Sequence, residues 1–149
     1  MYQRIVVPLD GSRQAEHALA DAEQLARLCG APLHLIRVVD SSGMGAAGAV
    51  APYIDALSYQ VLIEDEQIAA RTYLEKVEQV VTGRGHDLTI ELRQGPAAGE
   101  ILAATRPGDL VVMATHGRGG VERWFMGSVA ESVVRRAETP VLLIREPSE

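Results

Sequence analysis

The sequence contains a single cysteine, Cys29, and no long apolar run. One cysteine excludes an internal disulfide and any metal site built from several thiolates. No apolar stretch approaches the ~20 residues that a membrane span requires. No basic segment followed by an apolar stretch and a cleavage site precedes the first strand-like segment. We therefore expect a soluble, cytoplasmic protein without a membrane partner.

Lysine is almost absent as well. Of the 14 basic residues only Lys76 is a lysine, and the 20 acidic residues give a formal net charge of −6. This charge argues against nonspecific binding to nucleic acid. No Gly-x4-Gly-Lys-(Ser/Thr) loop is present, and Lys76 lies within a predicted helix. The sequence therefore lacks the lysine that cradles the β- and γ-phosphates in many ATP-consuming enzymes.

Short apolar segments alternate with amphipathic helical segments along the chain. The five predicted strands are Arg4–Val7, Leu33–Val39, Leu88–Leu92, Leu110–Ala114 and Val141–Ile144. The four predicted helices run from Ser12 to Gly30, from Tyr53 to Val81, from Ala98 to Thr105 and from Ser128 to Ala137. Parallel strands need crossover connections, so this alternation predicts a largely parallel sheet with helices on both faces. We expect one doubly wound α/β domain over residues 1–149.

The second predicted helix has an acidic outer face. Six acidic residues against two basic ones, Arg71 and Lys76, give it a local charge of −4; the acidic residues are Asp55, Glu64, Asp65, Glu66, Glu75 and Glu78. Such a face is usually a solvated surface. From the sequence we assign it no function.

The most distinctive composition follows the fourth predicted strand. Ligands of open parallel sheets bind beyond the carboxyl ends of the strands, where the strand order reverses. Three segments occupy such ends: Pro8–Ser12, Val38–Asp40 and Ala114–Gly120. The glycines of the third segment allow close approach of a ligand to the backbone. Gly127 then opens a helix whose N-terminus favours an anion.

Two arginines and a serine support a phosphate site in this region. Arg118 and Arg123 place positive charge there in an otherwise acidic protein. Ser128 and Glu131 have the spacing of a capping box, so we expect Ser128 to cap the last helix. His116 has no evident carboxylate partner, and we interpret it as a loop residue rather than a general base. The sequence thus predicts no catalytic residue and no protein-bound metal.

Both ends of the chain and this segment carry a family resemblance. Ala114-Thr115-His116-Gly117, nine further residues and Gly127-Ser128-Val129-Ala130-Glu131 resemble the nucleotide-binding signature of the universal stress protein family, Gly-x2-Gly-x9-Gly-(Ser/Thr). Arg4–Ser12 and Thr139–Ile144 resemble the two ends of that family. Ala114 stands where the signature has its first glycine. A methyl group at this position would come close to the ribose or the adenine.

The resemblance implies a strand order of 3-2-1-4-5 and an adenine-nucleotide ligand. ATP, with or without Mg²⁺, is the leading candidate, and another adenine nucleotide is the alternative. Pro8 and Asp10 would border adenine and ribose, and Val38 would present its backbone to the adenine edge. Met113 and Ala114 would line the base and sugar. The full set of expected binding residues is Pro8, Leu9, Asp10, Val38, Met113, Ala114, His116, Gly117, Arg118, Gly119, Gly127, Ser128 and Val129.

The last predicted strand is the expected dimer interface. Val141–Ile144 is apolar at all four positions and has no internal charge or proline. An exposed edge strand of this kind favours pairing with its own copy about a two-fold axis. The resemblance implies the same homodimer. In the alternative, residues 146–149 or a helix end cover this edge in a monomer.

Three functions remain open at this point. A regulatory protein that binds a nucleotide without efficient catalysis agrees best with the retained glycines and with Ser128. The second possibility is a slow ATPase. The third is an interaction module of the same fold that binds no nucleotide, which only Ala114 favours.

Overall fold

The computed structural model describes residues 1–41, 50–115 and 126–145. The strands are β1 (Arg4–Pro8), β2 (Leu33–Val39), β3 (Leu88–Gln94), β4 (Asp109–Thr115) and β5 (Val141–Arg145). The helices are α1 (Arg13–Cys29), α2 (Ala56–Gly83), α3 (Ala97–Ala104) and α4 (Ser128–Arg136), with a short 3-10 helix at Ala51–Tyr53. All neighbouring strands are parallel, in the order β3-β2-β1-β4-β5. The predicted fold class and strand order are confirmed.

The helices cover both faces of the sheet, as predicted. Successive side chains of a strand point to opposite faces, so a strand buried on both sides is apolar throughout. In β1, Ile5 and Val7 pack in a core cluster with α1 and α2. Val6, between them, packs in a second cluster with α3 and α4. β1 is therefore the central strand of the sheet. The layer of α1 and α2 and the layer of α3 and α4 separate at its carboxyl end.

The ends of the first two helices have identifiable causes. The hydroxyl oxygen of Ser12 accepts a hydrogen bond from the Ala15 N–H at 3.2 Å, and Gly30 ends α1 with φ 61°. Both features confirm the predicted limits of that helix. α2 begins later than predicted because the Asp55 carboxylate accepts the Ser58 N–H at 2.8 Å. The same hydrogen bond lowers the pKa of Asp55.

A buried ion pair joins β1 and β4 at the opposite end of the sheet. The Arg4 guanidinium donates to the Asp109 carboxylate through Nη2 at 2.6 Å and through Nε at 3.1 Å. Asp109 is 2% exposed, and its carboxylate also accepts the Arg106 N–H at 2.8 Å. The pair fixes the register of the two strands that carry the site described next. Within the three described ranges, no helix has the length and hydropathy of a membrane-spanning segment.

Candidate functional site

A cleft of about 190 Å³ opens at the carboxyl ends of β1, β2 and β4. Nine of the thirteen predicted residues line it: Pro8, Leu9, Asp10, Val38, Met113, Ala114, Gly127, Ser128 and Val129. The other four, His116, Gly117, Arg118 and Gly119, lie outside the described residues. The fold thus brings together segments that are more than a hundred residues apart in the chain, at the place where strand order reverses.

The floor of the cleft is apolar and closely packed. Ile36 is fully buried, and Ile101 and Met113 are 3% and 7% exposed. All three belong to the core cluster that the sheet shares with α3 and α4. A floor of this kind accommodates a flat apolar ring such as a nucleobase, because binding removes apolar surface from water on both partners.

The turn between β1 and α1 forms one wall. The Asp10 carboxylate accepts the Ser12 N–H at 2.8 Å, which closes an Asx turn. Gly11, between them, has φ 84°, a left-handed conformation that favours glycine. Asp10 remains exposed at the mouth of the cleft. Its side chain therefore shapes the turn and leaves a carboxylate exposed at the mouth of the cleft.

A guanidinium group supports this turn from the α1 and α2 side. A Cβ atom built on Gly11 would lie 3.7 Å from Cζ, Nη1 and Nη2 of Arg37 alike, so the guanidinium plane faces the glycine. Nε of Arg37 is buried without a hydrogen-bond partner among the described residues. Nearby, Tyr73 donates to the Glu16 carboxylate at 2.9 Å. Burial, and then this hydrogen bond, raise the pKa of Tyr73.

The opposite wall is the N-terminus of α4, and here one prediction is wrong. Ser128 is the first helical residue rather than the cap; Gly127 is the N-cap, and no side chain of residues 1–41, 50–115 or 126–145 caps the helix. The Gly127 carbonyl accepts the Glu131 N–H at 2.9 Å, while the Glu131 carboxylate pairs with Arg135 at 2.7 Å. The capping box does not form because Ser128 is already part of the helix, one position after the cap. Among the described residues, the first backbone N–H groups of α4 therefore lack a side-chain cap beside the cleft.

Gly127 itself has an ordinary backbone conformation. Its φ of −57° is accessible to any residue. A glycine is therefore not required there by the backbone.

Ala114 and Met113 point to opposite faces of β4. Met113 belongs to the core cluster on the α3 and α4 face, whereas Ala114 packs against the cluster on the α1 and α2 face. The methyl group that replaces the signature glycine thus takes part in core packing on the face away from α3 and α4. Ala114 also lines the cleft, so it borders both the core and the candidate site.

Seven further residues outside the expected set line the cleft: Ser12, Gln14, Ala15, Ile36, Ala97, Ile101 and Ala130. Of these, only Ser12 and Ala130 belong to segments that the sequence indicated. Those on α3 and α4 lie there because these helices cover the face of the sheet opposite α1 and α2. The rule that parallel crossovers are right-handed, applied to the predicted strand order, contained this information. The rule places α3 over the cleft.

Comparison with known proteins decides the family. The model of the universal stress protein family matches residues 1–145. The chain belongs to the universal stress protein family. A universal stress protein of Methanocaldococcus jannaschii is 33% identical over 154 aligned positions, which cover 100% of this chain and 85% of that protein.

Solved structures of the family share the fold. The universal stress protein UspA from Lactobacillus plantarum is 28% identical, with a TM-score of 0.77 over 97% of this chain and 98% of that one. A universal stress protein from Archaeoglobus fulgidus in complex with dAMP is 20% identical, with a TM-score of 0.64 over 96% and 98% of the two chains. At that identity the second likeness concerns the fold alone.

Proposed function

We propose that this universal stress protein binds an adenine nucleotide, with ATP as the leading ligand, and acts as a regulatory protein without efficient catalysis. One observation supports it above the others: a buried apolar floor and an uncapped helix N-terminus face the same cleft. The floor suits a base, and the amides of α4 suit an anion. A nucleotide carries both groups in one molecule.

Each part of the nucleotide has a partner of suitable chemistry. Adenine would lie on Ile36 and Met113, with the backbone of Val38 at its edge. The ribose hydroxyls would donate to the exposed Asp10 carboxylate. Phosphates would accept from the amides of Ser128 and Val129. The dAMP complex of the Archaeoglobus fulgidus protein supports an adenine nucleotide without distinguishing the number of phosphates.

Magnesium would enter with the nucleotide. Among residues 1–41, 50–115 and 126–145, no three His, Cys, Asp or Glu side chains are grouped as metal ligands. The phosphate oxygens are themselves ligands that Mg²⁺ prefers. Tighter binding of ATP in the presence of Mg²⁺ would therefore reflect charge neutralisation on the phosphates.

The test of the site is calorimetric titration of Gly127→Val with ATP, ADP and AMP. A valine at Gly127 blocks the approach of a phosphate to the amides, so we expect affinity for ATP to fall by about tenfold or more, equivalent to at least ~1.4 kcal/mol. The matched control is Gly83→Val, at a glycine with open space around it and no positive φ, at the far end of α2. Unchanged ATP affinity in Gly127→Val, with the wild type binding ATP, would remove α4 from the site.

Native mass spectrometry and phosphate release separate the three functions. A copurified adenine nucleotide, or saturable titration, supports binding; a purified protein that binds none of the three nucleotides supports the interaction module instead. Turnover near the ~10 s⁻¹ typical of enzymes would contradict a protein without efficient catalysis. A rate several orders of magnitude lower fits the slow ATPase as an incidental property of the bound nucleotide.

We also propose a homodimer formed by β5. The two outer strands of the sheet differ: β3 carries Glu91 and Arg93, which form an ion pair at 2.6 Å, whereas β5 is apolar from Val141 to Ile144. Charged side chains protect an edge against pairing, and their absence on β5 favours it. Leu142 is 37% exposed, so part of this apolar surface faces solvent.

Leu142→Lys tests the dimer better than a change at Leu143. Leu143 packs against the core cluster on the α3 and α4 face, so a lysine there would also damage the fold. We expect the wild type to sediment as a dimer and Leu142→Lys as a folded monomer. A monomeric wild type at micromolar concentration would contradict the proposal. The cytoplasmic location and the absence of a nucleic-acid partner remain proposals that rest on the sequence and its charge of −6.

A further inference from the structure

Exposed apolar side chains concentrate on the first half of α2. Leu57 is 73% exposed, Val61 50% and Ile68 67%, and Tyr53, just before the helix, is 85% exposed. Single exposed apolar residues are ordinary on protein surfaces, but a group on one helix is not. We call Leu57, Val61 and Ile68 the α2 stripe.

The three residues of the α2 stripe share one face of the helix. They are spaced four and seven positions apart, which corresponds to one and two turns. The opposite face carries the buried residues of the helix, which are Ile63, Ala70, Leu74 and Val81. The stripe therefore points away from the sheet.

The first half of α2 also extends past the sheet. At 1.5 Å per residue its 28 residues span about 42 Å, whereas seven-residue β2 spans about 23 Å. The residues of α2 that join the core cluster begin at Tyr73. The stripe thus lies on the part of α2 that precedes its core-cluster residues, at the same end of the molecule as the cleft.

The part of the chain that carries the stripe is acidic up to Ile68. Between Val50 and Ala70 the sequence contains four acidic residues and no lysine, arginine or histidine; the acidic residues are Asp55, Glu64, Asp65 and Glu66. Glu64 and Asp65 fall between Val61 and Ile68, on either side of the stripe. Arg71 is the first basic residue after it. Ile68 and Glu64 also border an open groove between α2 and β3, which Leu92, Arg71 and Arg93 line as well. Arg93 is paired there with Glu91 and Glu100, so among the described residues the unpaired acidic charge lies towards Val61.

We propose that the α2 stripe binds a cationic amphipathic helix of a partner protein. The apolar face of such a helix would cover Leu57, Val61 and Ile68, and its lysines or arginines would pair with Glu64 and Asp65. Recognition of an amphipathic helix through residues spaced by one and two turns is a common mode of binding. A second copy of this chain fits less well, because it would bring four like charges from each subunit together. The proposal is independent of nucleotide binding.

The probe is a synthetic peptide of about 18 residues, roughly five turns, with leucines on one helical face and arginines on the other. Fluorescence anisotropy measures its binding to the full-length protein. We expect Leu57→Gln with Ile68→Gln to weaken binding by about tenfold or more, since each side chain loses apolar burial. Glu64→Gln with Asp65→Asn should weaken it and reduce its salt dependence.

Leu28→Gln is the matched control. Leu28 is 79% exposed on α1, outside the stripe, and the change is of the same kind. It should leave binding unchanged. A peptide of the same composition with its leucines scattered around the helix should bind the wild type much more weakly, which separates docking from attraction to an acidic protein.

Several results would overturn the proposal. The first is equal binding of the ordered and the scattered peptide. The second is equal binding by the wild type and by the variant with Leu57→Gln and Ile68→Gln. The third is a Kd weaker than roughly 1 mM for the wild type. Dissociation of a wild-type oligomer by the Leu57 and Ile68 changes would show instead that a second copy covers the stripe.

Discussion

Gly11→Ala probes the wall of the cleft without removing any side chain. Gly11 holds φ 84°, where a residue with a Cβ costs about 1–2 kcal/mol more than glycine. The lower entropy of the unfolded alanine chain returns about 0.4–1 kcal/mol. The new methyl group would lie 3.7 Å from the Arg37 guanidinium, an ordinary contact that adds no clash. We therefore expect a net loss of about 1 kcal/mol, or ~2–4 °C in Tm for a domain of this size.

The effect on ligand binding should exceed the effect on stability. Relief of the strain at residue 11 moves the Asp10 carboxylate and breaks its hydrogen bond to the Ser12 N–H, so we expect nucleotide affinity to fall by about tenfold. Gly30→Ala is the matched control: Gly30 has φ 61°, no atoms within 4 Å of a new Cβ, and a position at the other end of α1. It should lose the same stability and keep its affinity.

Thermal denaturation measures the stability of both variants, and calorimetric titration measures their nucleotide affinity. Nucleotide affinity that is unchanged in Gly11→Ala would refute the role of this turn in the site. An equal loss of affinity in Gly30→Ala would show that strain anywhere in α1 disturbs the cleft. A stability loss in Gly11→Ala several kcal/mol beyond that of Gly30→Ala would contradict the contact distance to Arg37.

Three further predictions concern the core and the buried ionisable groups. Ala114→Gly should lower the free energy of unfolding in denaturant by about 1 kcal/mol, because the methyl group packs in the core. It should change ATP affinity less than about twofold. A large gain in affinity would show that the methyl group obstructs the ligand. Asp109→Ala should cost about 3–5 kcal/mol by urea unfolding, since it leaves the Arg4 guanidinium without its buried partner. A loss below about 1 kcal/mol would mean that Arg4 finds water instead. Burial lowers the pKa of His34 in spite of its hydrogen bond to Glu91, so the unfolded chain binds the proton more readily. The free energy of unfolding should then fall as pH decreases below about 6.5, and His34→Gln should show a shallower dependence on pH over that range.

Most of the fold followed from the sequence because each element has a local signal. Buried parallel strands require near-continuous apolar runs, as in Arg4–Val7, and Ser12 and Gly30 mark the two ends of α1 by chemistry that acts within one turn. The start of α2 was misplaced because the apolar period continues upstream of Asp55, and the actual boundary depends on one carboxylate. Periodicity alone does not show where a cap forms.

The residues of the cleft were predicted only in part, because contacts between distant segments leave no local signal. Glycines and strand ends mark the carboxyl end of the sheet, so the sequence placed Asp10, Gly127 and their neighbours where the structure has the cleft. The role of Ser128 as a cap was misjudged, because the capping-box spacing does not show that the helix begins one residue earlier. The sequence did not indicate Arg37, because its guanidinium comes near Gly11 only when β2 lies beside β1 in the folded sheet.

The two edges of the sheet also determine how far the molecule can assemble. If β5 pairs with a second β5, the result is a continuous ten-stranded sheet whose outer strands are both β3. Each outer β3 strand carries Glu91 and Arg93, and Arg93 also forms an ion pair with Glu100 of α3 at 2.8 Å. The proposed assembly would therefore have no further edge that accepts a strand, and its growth would end at two chains. A protein with a β5-like edge on both sides would instead extend without limit into fibres.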